Sequence, residues 1–320
     1  MTTVSGITPS GRLTLGNHLG ALRRFPQDPD GFYFVADLHA MTMPHDPARQ
    51  RTLSLETAAL LLAAGLPTGS VFLQSAVPAH AQLAYLLECT ARVGELSRMI
   101  QFKEKGGRPG TRASLLTYPC LMAADILLYG AEEVPVGGDQ DQHVELTRDV
   151  ATRFNRTYGP AFVVPDAVRA PSAGRICDLL DPTAKMSKSA PDDAMGVIRL
   201  LDEPAVVRRK VMRAVTDSGS VVRHDAEAQP GITNLLEILA ACTGGDAPTV
   251  GTAYRSYGRL KRDVADAVVA TLAPLQDRYA ALAADPAELT RVLAKGAERA
   301  SAAAAPILAA ATRAIGLVTA

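Results

Sequence analysis

Short apolar strand signals alternate with helix signals from Val4 to about Pro191, and this alternation constrains the fold more than any other feature of the chain. Val4 to Ile7, Gly31 to Ala36 and Val71 to Gln74 read as buried strands, and Val134 to Val136 as a weaker one. Between them, Asp46-Pro47 offers an N-cap with proline in the first turn, and Gly65-Leu66-Pro67 stops that helix. Ala79 to Val93 and Leu115 to Tyr129 read as helical, and His143, Leu146, Val150 and Phe154 recur on one helix face. Strand–helix alternation of this kind implies an α/β fold: a parallel sheet covered by helices.

Beyond Pro191 the strand signals fade. Glu203 to Val215, Asn234 to Cys242 and Gly251 to Ala284 read as helices, and an Ala-rich helix starts at Asp285-Pro286, with a kink expected at Pro306. The 320 residues fit two domains. Lys103 to Arg112, basic and Gly-rich, reads as a mobile loop.

Lys plus Arg and Asp plus Glu are both 33, so the formal net charge is +0, which excludes a generally basic nucleic-acid coat but not a local patch. No apolar run has the length of a membrane span, and the N-terminus lacks the pattern of a secretory signal. Cys89, Cys120, Cys177 and Cys242 form no CxxC pair, so reduced thiols in a cytoplasmic protein are expected, without a zinc or iron–sulfur site. The P-loop, HExxH, GxSxG and GxGxxG templates are all missing.

Two segments remain. Thr8 to His18 follows the first strand and opens the first helix. Gly11 and Gly16 permit close backbone approach, and Ser10, Thr14 and Asn17 offer polar groups where a helix start favours phosphate. Alone, the segment reads more simply as a capped helix after a tight turn. Lys185-Met186-Ser187-Lys188-Ser189 could clamp a triphosphate with two cations, since charge on a departing pyrophosphate must be stabilised. Alone, it reads as a solvated basic loop.

Taken together, the two segments have a stronger reading. Thr14-Leu15-Gly16-Asn17 resembles a variant of the HIGH signature, and Lys185 to Ser189 is KMSKS verbatim, in the order found in class I aminoacyl-tRNA synthetases. Gln74 to Ala81, Gly94-Glu95-Leu96, Gln101 to Lys105, Leu116 to Pro119, Met122 to Tyr129, Val134 to Gly137 and Gln142 to Asp149 resemble the bacterial tryptophanyl-tRNA synthetase family. Ala214 to Ser218 and Pro230 to Leu235 extend the similarity into the helical part.

The resemblance implies a Rossmann-like catalytic domain over 1–195, with a helical dimerisation insertion at about 77–130, and an all-helical domain over 196–320 that binds the tRNA anticodon and ends in a C-terminal helix. It implies ATP-dependent tryptophan–tRNA ligation in a cytoplasmic homodimer. Thr8, Pro9, Ser10, Gly16 and Asn17 would contact ATP, Gly137, Gly138 and Asp139 the ribose, and Ile176 and Met186 the adenine. Lys185, Ser187, Lys188 and Ser189 would hold the phosphates, with Lys105 joining them; Asn17, Lys105, Lys185 and Lys188 would carry the catalysis. Magnesium would accompany ATP, held by phosphates and water more than by protein. For tryptophan, Asp125 would accept the indole N–H, Met122 would pack on the ring, Tyr118 and Gln140 would reach the ammonium, and Gly6 and His39 would line the pocket.

Three positions depart from the family's usual residues: Thr8 for Gln, Gly138 for Glu, and Cys120 for Pro or Val. Arg208, Arg209, Lys210, Arg213, Arg255, Arg259, Lys261 and Arg262 give the helical part basic faces, read as tRNA contacts because the family supplies a reason. Two further readings stay open: a paralogue that adenylates tryptophan or an analogue for a non-tRNA acceptor, and a catalytically inactive RNA-binding relative.

Overall fold

The computed structural model describes residues 2–136, 141–169 and 176–318. In chain order the elements are β1 (Val4–Ile7), α1 (Leu15–Gly20), β2 (Phe32–Val35), α2 (Asp37–Ala40), α3 (Pro47–Ala63), β3 (Val71–Leu73), α4 (Ala79–Glu88), α5 (Val93–Leu96), α6 (Ile100–Lys105) and α7 (Ala113–Leu127). Then come β4 (Glu133–Val136), α8 (Asp141–Tyr158), β5 (Asp166–Arg169), α9 (Pro204–Met212), α10 (Pro230–Thr243), α11 (Ala247–Gly251), α12 (Tyr257–Ala283) and α13 (Pro286–Ala314).

Strands β1, β2 and β3 pair in that order and are all parallel, with Gly6 opposite Phe34 and Phe34 opposite Phe72. A second parallel pair joins β4 to β5. Strand β2 is buried on both faces, which explains why its sequence is apolar throughout. Tyr33 and Val35 point into a core shared with α3, α10 and α12, while Phe32 and Phe34 point into another shared with α4, α7, α8 and α13. Successive side chains alternate across a strand, so both sets of positions must be apolar. Burying a side chain such as Phe72 contributes about 1.5–3 kcal/mol.

The first of these cores also holds Ile232, Leu235, Leu260 and Val264, so the helical part and the sheet share one apolar interior. Helix α13 returns to lie on β3 and α4. At Gly296 a Cβ would overlap the carbonyl oxygen of Val71, so glycine lets this helix touch the strand backbone.

Several boundaries differ from expectation. The helix read from Ala79 to Val93 ends at Glu88 and restarts at Val93, because Arg92 is extended and its N–H bonds Glu95 as a new N-cap. Ile100–Lys105 is helical, so only 106–112 of the basic segment is loop, with positive φ at Gly107 and Gly110. Helix α12 starts only at Tyr257, where the Ser256 hydroxyl caps it. Helix α13 runs unbroken past Pro306. Strand β5 is absent from the sequence reading; Asp166-Ala167-Val168-Arg169 is too short and too polar to signal one, and pairing with β4 supplies its order. All four cysteines are free thiols. Among the described residues no helix is long and apolar enough to cross a membrane.

Candidate active site

The two signature segments meet at the carboxyl end of β1. Helix α1 begins with a reciprocal cap: Asn17 N–H donates to Thr14 Oγ1 (3.3 Å), and Thr14 N–H donates to Asn17 Oδ1 (3.0 Å). The Asn17 oxygen is thereby used internally, which leaves its amide N–H groups as donors for an anion. Gly11 faces the lysine loop so closely that a Cβ would overlap the carbonyl oxygen of Lys188. The Lys188 ammonium donates to the Thr8 carbonyl at 2.6 Å, across 180 residues of chain. Burial lowers its pKa to about 8, with the neighbouring Lys185 adding repulsion.

Met186 N–H bonds the Ile176 carbonyl (3.1 Å), and both side chains pack beside Gly16. Thr8, Gly16, Ile176, Met186 and Lys188 are thus brought together. Ser10, Lys185, Ser187 and Ser189 are exposed around them, and Pro9 is buried. Lys105 closes α6 and is exposed; among the described residues no hydrogen bond ties it to the lysine loop. Gly137, Gly138, Asp139 and Gln140 lie outside the described residues.

The second half of the site is a buried carboxylate. Helix α7 carries Asp125 beneath the carboxyl ends of β2 and β3. Oδ1 accepts hydrogen bonds from Gln74 Nε2 (2.7 Å) and His80 Nδ1 (2.6 Å), and Oδ2 from His39 Nε2 (2.8 Å). The other nitrogen of His80 meets the Tyr129 hydroxyl at 2.8 Å. Burial alone would push the Asp125 carboxyl up, but the bonds and charge from His39 and His80 together hold it below the usual range. Asp125 is therefore an ionised acceptor in an apolar setting. Gly6 on β1 lies against the Phe34 ring, with no room for a Cβ. Met122 packs partly buried against Ile126, Val134 and Val144. The Tyr118 hydroxyl lies 2.6 Å from His143 Nε2, and burial pushes its pKa up to about 12. Cys120 is buried in the same helix, and desolvation pushes its thiol up to about 12, so it is not a nucleophile at neutral pH.

Gln74, His80, Tyr129 and His143 escaped the sequence reading as functional residues. Gln74 and His80 stand in a motif-bearing segment, but only the close of β3 onto α7 brings them to Asp125. Arg199 escaped too, although a lone arginine in Val197-Ile198-Arg199-Leu200-Leu201 was a visible anomaly. Among the described residues no group of three or more His, Cys, Asp or Glu side chains is placed to hold a metal.

Residues 1–273 match the family model described as tRNA synthetases class I (W and Y). The chain is 56% identical to tryptophan–tRNA ligase 1 of Streptomyces avermitilis, over 99% of this chain and 98% of that protein. The crystal structure of tryptophanyl-tRNA synthetase from Mycoplasma pneumoniae superposes with a TM-score of 0.89 at 35% identity, covering 99% of this chain and 98% of that one. The enzyme from Campylobacter jejuni, solved in complex with ADP and tryptophan, gives a TM-score of 0.84 at 30% identity, covering 99% of this chain and 100% of that one. With both signature segments docked on one another and the similarity running through nearly the whole chain, this protein belongs to the class I tRNA synthetases of the tryptophan and tyrosine family.

Proposed function

We propose that this chain is an ATP-dependent tryptophan–tRNA ligase that works in the cytoplasm as a homodimer. In the first step a tryptophan carboxylate oxygen bonds to the α-phosphorus of ATP, the bond to the β-phosphate breaks, and pyrophosphate leaves. In the second, the terminal hydroxyl of tRNA(Trp) attacks the carbonyl carbon and AMP leaves. The substrate brings its own nucleophile, so the protein's work in the first step is placement and charge stabilisation.

The observation that carries the reading is the docking of the lysine loop on the turn before α1, with Lys188 Nζ at 2.6 Å from the Thr8 carbonyl. Among the described residues that neutral carbonyl is the one hydrogen-bond partner of the ammonium, and a cation so held can exchange it for departing phosphate. Lys185 and the Asn17 amide would add to the anion site, and Gly16, backed by the buried Ile176 and Met186, would face adenine. Magnesium would accompany ATP as its counter-ion, held by phosphate oxygens and water. Asp125 would accept the indole N–H, and the Tyr118 hydroxyl oxygen, 2.6 Å from His143 Nε2, would accept from the substrate ammonium.

Residues 1–195 form the catalytic part of this reading and 196–320 the tRNA-binding part. On the latter, Arg208 is paired with Asp266 and Arg259 with Asp263, and Lys261 donates to the Ala214 carbonyl, so internal contacts already engage them. Arg209, Arg213 and Arg262 are exposed and are the better phosphate contacts. The dimer reading is supported by Tyr85 on α4 and Val93 on α5, which are 66% and 71% exposed. The test is tryptophan-dependent exchange of pyrophosphate into ATP, run beside charging of tRNA(Trp). Both activities are expected; exchange without charging points to a different acceptor, and the absence of both overturns the reading.

A further inference from the structure

We infer that Arg199 is a positioning residue that locks the backbone of the lysine loop against the turn before α1, so that the Lys188 side chain alone moves when phosphate arrives. The inference rests on the function proposed above and adds a residue to it.

Arg199 is 3% exposed, yet among the described residues no carboxylate lies within ion-pair distance of its guanidinium. It is bound by carbonyl oxygens instead. One terminal nitrogen donates to Arg12 (2.9 Å) and Lys188 (3.2 Å), the other to Ala190 (2.6 Å) and Pro191 (3.1 Å). Three of these four acceptors belong to the lysine loop and its exit, and the fourth to the turn before α1. Only a rigid, planar fork of donors can serve four carbonyls in this way; a lysine supplies one mobile centre.

The arginine is itself held in place. Leu15 N–H donates to the Ile198 carbonyl (2.9 Å) and Leu200 N–H to the Leu13 carbonyl (3.0 Å), so the strand-like segment around Arg199 runs antiparallel to the signature turn. Arg199 N–H donates to Asp202 Oδ2 (2.8 Å), which also receives the buried Lys210 ammonium (2.7 Å). Lys210 in turn holds the Val197 carbonyl at 2.7 Å. A buried guanidinium facing only neutral acceptors is a poor source of stability compared with an apolar side chain of its size. What it does supply is a fixed distance between the two segments that must share one triphosphate. A misplacement of about 1 Å between reacting groups can cost on the order of a hundredfold in rate.

The experiment compares Arg199→Lys, Lys188→Ala and the double variant, and adds Gly11→Ala, which forces the loop off by a Cβ while leaving Arg199 intact. Arg199→Lys is expected to lower kcat for tryptophan-dependent pyrophosphate exchange by about tenfold or more, with the tryptophan KM changed less than about twofold. Because Arg199 acts through Lys188, the double variant should be no slower than Lys188→Ala. Gly11→Ala should reproduce the kcat loss. Limited trypsin digestion of the ligand-free proteins gives a readout that needs no activity: cleavage after Lys188 should be faster in Arg199→Lys and in Gly11→Ala, while cleavage after the exposed Lys295 of α13, which reports global unfolding, stays at the wild-type rate. Multiplying losses in the double variant, a KM rise equal to the kcat loss, or wild-type cleavage rates after Lys188 in both variants would each overturn the inference. If the wild-type chain itself shows no exchange, the proposed function fails, while the cleavage rates still decide whether Arg199 holds the loop.

Discussion

Replacing Asp125 by asparagine separates substrate reading from support of the fold. Alanine does not, because it strands the donors of Gln74, His80 and His39 that now end on this carboxylate. Each stranded donor costs about 1–3 kcal/mol, against a total stability of about 5–15 kcal/mol, so early melting of the alanine variant would say nothing about recognition. Asparagine can keep its oxygen where Oδ1 stands, facing Gln74 and His80, and present its NH2 to His39, whose ring nitrogen can accept in the other tautomer. A carboxylate has about four acceptor sites. Among the described residues three are filled, two on Oδ1 and one on Oδ2, and the fourth, on Oδ2, is the one offered to the indole N–H. That is also the more accessible side: the His39 side chain is 14% exposed and that of His80 0%. In the variant a tryptophan N–H arriving there meets a donor. Losing a bond to a charged acceptor, worth about 1.5–3 kcal/mol, should lower kcat/KM for tryptophan about 10- to 100-fold. Phenylalanine has no such N–H, so it should lose little, and the tryptophan-to-phenylalanine ratio should collapse. The assay is pyrophosphate exchange with each amino acid, with a melting curve expected within a few degrees of wild type. Equal proportional losses for the two amino acids at wild-type melting temperature would refute the assignment.

Lys188 titrates near pH 8 in the free protein, because burial and Lys185 disfavour its charge, against an ordinary value of 10.5. kcat/KM for ATP is therefore expected to fall above pH 8 while kcat holds to higher pH, because bound phosphate raises the lysine again; coincident alkaline limbs would contradict this. The stability sign follows from the same shift: between pH 8 and 10.5 the unfolded chain keeps this proton and the folded chain does not, so this group's contribution to stability rises with pH, and Lys188→Met should remove that rise in denaturant titrations. Gly296→Leu should push α13 off β3 and destabilise the fold by at least about 1–3 kcal/mol, read from the urea midpoint; an unchanged midpoint would mean the helix does not press on Val71. Val93→Asp should shift sedimentation toward monomer if the exposed α4–α5 surface pairs two copies, and an unchanged distribution would place the interface elsewhere.

Periodicity and punctuation in the sequence determined β1 to β4, α3, α7, α8 and the switch to helices after Pro191. These elements bury complete faces and stop at prolines and glycines, so their information is local. The short catalytic segments were legible for another reason: KMSKS and Thr14-Leu15-Gly16-Asn17 need particular residue types in consecutive positions. Strand β5 was not legible, because its order comes from the ladder it forms with β4 rather than from its own four residues. The partners of Asp125 were not legible either. Gln74, His80 and His39 lie 51, 45 and 86 residues away, and a hydrogen bond leaves no periodic trace at such separations. Arg199 shows the division most plainly. The sequence marks it as a charge out of place in an apolar run, but not what it binds. Its acceptors are backbone carbonyls, which every residue possesses, so only the tertiary structure could decide which four of them it holds.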